Sequence, residues 1–152
     1  MTMPELVSKT AEQQSFVNQK PNYKLYTVKG VAIATLFGTP LAGGYLMARN
    51  YKLLGNKSYA RRAVFYSVLT IIASLLIGML LPEQTPSVVV SVPVLIAMVQ
   101  AMKYLQGPSL AVHQQNGGEF ASCWKAFGIS LLFMVAILAL SVVGVMILDP
   151  EI

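Results

Sequence analysis

Catalysis or ligation in this sequence would have to draw on very few side chains. His113 is the only histidine and Cys123 the only cysteine, so neither a Cys/His zinc cluster nor an internal disulfide can be assembled. Ser67, Ser74, Ser130 and Ser141 lie inside long apolar runs. A serine nucleophile needs a base within hydrogen-bond reach, and these runs hold no Asp, Glu, His, Lys or Arg before their ends. His113 falls in a stretch that reads as polar loop, where a solvated imidazole is expected. The chain therefore reads as non-enzymatic, with no catalytic, cofactor-binding or metal-binding residue assigned and no cofactor expected.

Two features could still bind or conduct. Gly38, Thr39 and Pro40, followed by Gly43 and Gly44, interrupt the first apolar run at its middle. Proline removes a backbone donor and turns the preceding residue away from helix, and the glycines weaken helix on either side. Such a break can turn freed carbonyls and the Thr39 hydroxyl toward water or an ion. It can equally serve a tight crossing of helices, which is the reading adopted. The second feature is Gln100, the most polar residue within an apolar run, expected to act as a hydrogen-bonding link between helices. No ionisable group lies within the runs, so ion-coupled transport is not indicated. Trp124, Tyr45, Tyr51 and Tyr59 read as anchors at the membrane surface.

The elements that must position these groups are membrane helices. Residues 126–148 contain no charge, and as a helix they span roughly 34 Å, enough to cross a hydrocarbon core of about 30 Å. Residues 63–81 and 87–106 read as two more spans joined by the proline-flanked turn at residues 82–86. Residues 30–48 form the broken first segment. In the second span, Ser67, Thr70, Ser74 and Gly78 recur every three or four residues, which predicts one continuous helix-packing face. A polar tail over residues 1–29, with a weakly amphipathic piece at residues 5–17, precedes this membrane domain of residues 30–148, and a short acidic end, residues 149–152, follows it. The composition agrees, with 55% hydrophobic and 11% charged residues against about 25% charged in soluble domains.

The charges bear on topology. Arg49, Lys52, Lys57, Arg61 and Arg62 crowd residues 49–62, read as a cytoplasmic loop by the positive-inside rule and as a contact for anionic lipid headgroups. If every run crosses, Lys9, Lys20, Lys24 and Lys29 fall on the opposite side. If the broken segment instead enters and leaves on one face, all 11 Lys and Arg lie inside, opposite Glu83, Asp149 and Glu151. A kinked crossing helix and a re-entrant hairpin both remain open, and the charges favour the hairpin.

The run Gly38-Thr39-Pro40-Leu41-Ala42-Gly43-Gly44-Tyr45-Leu46, followed by Asn50-Tyr51 and Leu54-Gly55, resembles the signature of a family of small bacterial multi-span membrane proteins of uncharacterised function. The likeness covers about residues 30–65 and implies a bacterial inner-membrane location; it implies no activity. The expectation is an all-α integral membrane protein, a small bundle of three full transmembrane helices plus a broken, re-entrant or kinked, first membrane segment. Its expected role is to bind or stabilise another membrane component, with an oligomeric channel or small transporter built on the break at Gly38 to Pro40 as the alternative. The expected partners are the bilayer, with anionic lipid at the cytoplasmic face, and a membrane protein or further copies of the chain; nucleic acid is not expected, because the basic residues sit at the ends of apolar runs.

Overall fold

The arrangement follows from what Gly38, Thr39 and Pro40 do to the first apolar run. The computed structural model describes residues 20–148; the amphipathic piece at residues 5–17 and the acidic end, residues 149–152, lie outside the described residues. Helix α1 (Val28–Phe37) begins at Thr27, whose hydroxyl accepts a hydrogen bond from the Gly30 N–H at 3.1 Å. Helix α2 (Pro40–Leu53) opens on proline, whose missing N–H would have had no helical partner there. Between them Thr39 leaves the helical region and takes a positive φ (φ 155°, ψ 168°); the proline after it disfavours helix at this position.

This short link reverses the chain. Tyr26, just before α1, meets Asn50 in the last turn of α2, where the Asn50 side chain accepts from the Tyr26 N–H at 2.8 Å and donates to the Tyr26 carbonyl at 2.9 Å. The segment is thus a helical hairpin with both ends at one end of the bundle, not a kinked helix passing through. Its first arm has 10 residues, roughly 15 Å or about half the thickness of a hydrocarbon core. The backbone of the apex is also held by hydrogen bonds. The Gly38 and Thr39 N–H groups both bond to the Ala34 carbonyl (2.9 and 3.3 Å), and the Ala42 and Gly43 N–H groups to the Thr39 carbonyl (3.0 and 3.3 Å). Open backbone in an apolar medium is thereby avoided.

Among the described residues, three helices are long and apolar enough to cross a membrane: α3 (Lys57–Leu80), α4 (Val88–Gln115) and α5 (Cys123–Leu148). The fold is the expected all-helical bundle, with the hairpin as its hub. Helix α3 runs along α2, α5 along α1, and α4 across both arms, whereas among the described residues α5 packs on neither α3 nor α4. The core accordingly sits at hairpin level, built from Leu25, Val31, Ala42, Leu46, Met102 and Ala126.

Small residues make these crossings close. A Cβ on Gly44 would collide with Ser67 of α3, one on Gly43 with the Thr35 hydroxyl of the other arm, and one on Gly38 would come within 2.8 Å of Ala42 and Ser130 Cβ. Contact of this kind is how helices associate where no hydrophobic force drives them together.

Four expectations change. The stretch at residues 49–62 is mostly helix, because α2 continues to Leu53 and α3 starts at Lys57; the turn between them uses Gly55 at φ 79°. Helix α4 likewise runs past Gln106 and Pro108 to Gln115. Hydropathy marks only the part of a helix that lies in lipid, and a helix that extends into water keeps its own hydrogen bonds. The polar tail is shorter than expected, since Leu25 and Tyr26 are buried. Finally, the small face of α3 is not covered throughout. Ser67 is buried, but a Cβ on Gly78 would meet nothing within 4 Å, because the hairpin ends before reaching that level.

Candidate functional site

A buried polar lock holds the hairpin in place. Asn50 and Gln106 are both fully buried. The Asn50 amide donates to Gln106 Oε1 at 3.0 Å as well as to the Tyr26 carbonyl, and Gln106 Nε2 donates to the Met47 carbonyl at 2.8 Å. Two side chains thus tie together the entry to α1, the end of α2 and the middle of α4. All four of their polar atoms have partners, the condition under which a buried polar group adds specificity without a desolvation penalty.

A second set of contacts closes the same end of the bundle. Leu25 pairs with the segment after α4, its N–H bonding to the Glu119 carbonyl at 3.3 Å and its carbonyl accepting from the Ala121 N–H at 2.8 Å. Lys20 and Lys24 clasp the Glu119 carboxylate at 2.8 and 2.6 Å, and these bonds hold its pKa down at about 2. His113 is not the solvated loop residue expected. It sits in α4, 3% exposed, stacked on Tyr23 at 5.1 Å, with Nε2 at 3.0 Å from the Glu119 carbonyl. The Glu119 carbonyl can only accept, so Nε2 is the donor, and Nδ1 is buried without a partner.

What remains unfilled is the cleft between α3 and α4. Toward the lock it holds a cavity of about 390 Å³ bounded by Tyr51, Tyr59, Arg62, Ala97, Met98 and Ala101. Beyond the hairpin apex a second cavity, of about 650 Å³, lies between the same two helices, where Thr39 and Pro40 face Ser74 and Gly78 on one side and Val94 on the other. Both volumes fall in the range of small-molecule sites, about 300–1,000 Å³. The walls are mainly apolar, and the Thr39 hydroxyl is buried without a partner. At the mouth, the Arg62 guanidinium lies 5.6 Å over the Tyr59 ring, which is itself stacked on Tyr51 at 5.6 Å.

The residues singled out in the sequence are thus distributed unevenly. Gly38, Thr39, Pro40, Gly43 and Gly44 form the apex and the close crossings. Ser67 lies beneath α2, while Thr70, Ser74 and Gly78 line the cleft. Arg49, Lys52, Lys57, Arg61 and Arg62 are exposed at the lock end. Gln100 is exposed and makes no interhelical bond; Gln106, six residues on, does that work. Tyr51 is buried, whereas Trp124, Tyr45 and Tyr59 are exposed. The sequence assigns no structural role to Asn50 or Gln106 and places His113 in a solvated loop rather than on a buried helix face. The available signal was a spacing of 4, 4, 4 and 3 through Met98, Met102, Gln106, Leu110 and His113, one helix face on which polar residues share a stripe with buried apolar ones.

Among the described residues, no group of His, Cys, Asp and Glu side chains could hold a metal ion. Comparison with known proteins gives no match to a family model, a curated protein or a solved structure.

Proposed function

We propose that the chain is a non-enzymatic membrane protein that holds another membrane component in the cleft between α3 and α4. The observation that supports this reading is the cleft itself: the hairpin fills only the lock end of the bundle and leaves cavities of about 390 and 650 Å³ with mainly apolar walls. An unfilled apolar cleft within membrane helices is occupied by something at least as apolar as its walls.

The proposed location is a bacterial inner membrane, with the lock end in the cytoplasm. Arg49, Lys52, Lys57, Arg61 and Arg62 cluster at that end, and Glu83 lies in the turn at the other, the distribution the positive-inside rule requires. The likeness of residues 38–55 to small bacterial membrane proteins points the same way.

A photoreactive amino acid at Ala97, inside the cleft, tests the reading in native membranes. The expected result is an adduct with a lipid or a membrane protein, and absence of any adduct would contradict it. The unpartnered Thr39 hydroxyl is the one observation that favours a conduit instead. Purified protein that passes ions across a vesicle membrane, and loses that flux with Thr39→Val, would establish the conduit in place of a holding role.

A further inference from the structure

We infer that the component held at the lock end of the cleft is a single anionic phospholipid, with its phosphate against Arg61 and Arg62 and an acyl chain lying between α3 and α4. The inference rests on the reading above that the cleft holds a membrane component, and it assigns that component a chemistry and a set of contacts.

The headgroup position comes from a shallow recess of about 360 Å³ bounded by Ser58, Arg61, Arg62, Phe65 and Tyr66. Arg62 and Tyr66 also bound the inner cavity, so the polar recess and the apolar cavity share one wall. A ligand that enters both must carry an anion at one end and hydrocarbon at the other. Two guanidinium groups, the Ser58 hydroxyl and the Tyr66 phenol supply donors suited to phosphate oxygens. Among the described residues, no carboxylate forms a salt bridge with Arg61 or Arg62; the ion pairs present join Lys20 and Lys24 to Glu119. The Tyr59 ring beneath Arg62 keeps that guanidinium at the mouth of the cavity, and cation–π contact leaves its N–H groups free to donate.

The hydrocarbon position comes from the size of the side chains. Ala63, Ala97 and Ala101 keep the inner cavity open, and Met98 and Leu105 close it with flexible apolar surface. A slender, flexible acyl chain suits a cavity of about 390 Å³ whose walls include these alanines and the side chains of Met98 and Leu105. Depth agrees too. The recess lies in the first turns of α3, at the end where the basic residues gather, which is where lipid phosphates sit in a bilayer.

The test is native mass spectrometry of the full chain in detergent, titrated with phosphatidylglycerol or with phosphatidylcholine bearing the same acyl chains. The wild type is expected to retain one phosphatidylglycerol preferentially. Arg62→Gln should weaken phosphatidylglycerol binding about tenfold, the loss of one charge-assisted hydrogen bond, and weaken phosphatidylcholine less, because choline already offsets the charge on its phosphate. Ala101→Phe, which fills the cavity without changing charge, should weaken both lipids, and Ala97→Leu provides a milder version should Ala101→Phe disturb folding. Lys125→Gln, on α5, should change neither. Equal losses for Arg62→Gln and Lys125→Gln would overturn the inference, as would wild-type binding by both cavity-filling variants. In the photocrosslinking experiment at Ala97, a protein adduct overturns this inference while the holding role stands; no adduct at all removes both.

Discussion

The Asn50 amide donates to Gln106 Oε1 at 3.0 Å across a sequence separation of 56 residues, and both side chains are fully buried. Together with the bond from Gln106 Nε2 to the Met47 carbonyl, it joins the returning arm of the hairpin to the helix that crosses it. Asn50→Ala would leave the Tyr26 N–H, the Tyr26 carbonyl and Gln106 Oε1 without partners, and a buried unsatisfied group costs about 1–3 kcal/mol. A loss of roughly 3 kcal/mol or more in unfolding free energy is expected in detergent, against a change within about 0.5 kcal/mol for the exposed Gln100→Ala. Comparable melting of the two variants would mean that the lock does not hold the hairpin.

The glycines of the packing face should separate by position. Gly44→Ala places a methyl group against Ser67 and should destabilise by about 1–3 kcal/mol through overpacking. Gly78→Ala enters open space and should be neutral, or stabilise by up to about 1 kcal/mol through helix propensity. Thermal melting of the pair checks this, and a greater loss at Gly78 would show that something packs at the outer half of α3.

The Glu119 clasp carries a pH dependence of definite sign. Its carboxyl titrates at about 2 in the folded chain, below the ordinary value of 4.5. The contribution is therefore fully present above about pH 4.5 and is lost as pH falls through about 2. Hydrogen exchange at Leu25, whose N–H bonds to the Glu119 carbonyl, should quicken over that interval relative to a control near the hairpin apex such as Ala34. Glu119→Gln should remove the pH dependence, and an unchanged profile in that variant would assign it to other groups.

How much of this was legible in the sequence depends on what kind of signal each residue leaves. Spans α3, α4 and α5 were visible because a run without charge is a property of many residues together. The break was visible because Pro40 and its neighbouring glycines act locally. Asn50 was not. It stands between Arg49 and Tyr51 in a basic stretch, and only the turn of an intact helix puts Arg49 outside and Asn50 inside. Gln106 was hidden in the same way at the assumed end of a span, since hydropathy stops where lipid stops and α4 does not. The open state of the cleft at Gly78 depends on how far the hairpin reaches, a tertiary length that no periodicity within α3 encodes.

The central claim is that the first apolar run turns back and returns to the face it entered, so that three spans surround a half-depth hairpin. Single cysteines at Asn22, Ser58 and Gln84, each in a Cys123→Ser background, test it most directly with a membrane-impermeant thiol reagent in intact cells. With the lock end cytoplasmic, Asn22→Cys and Ser58→Cys are both protected until the membrane is opened, and Gln84→Cys is labelled from outside. Labelling of Asn22→Cys from outside while Ser58→Cys stays protected would mean that the segment crosses, and it would contradict the hairpin and the cleft built upon it.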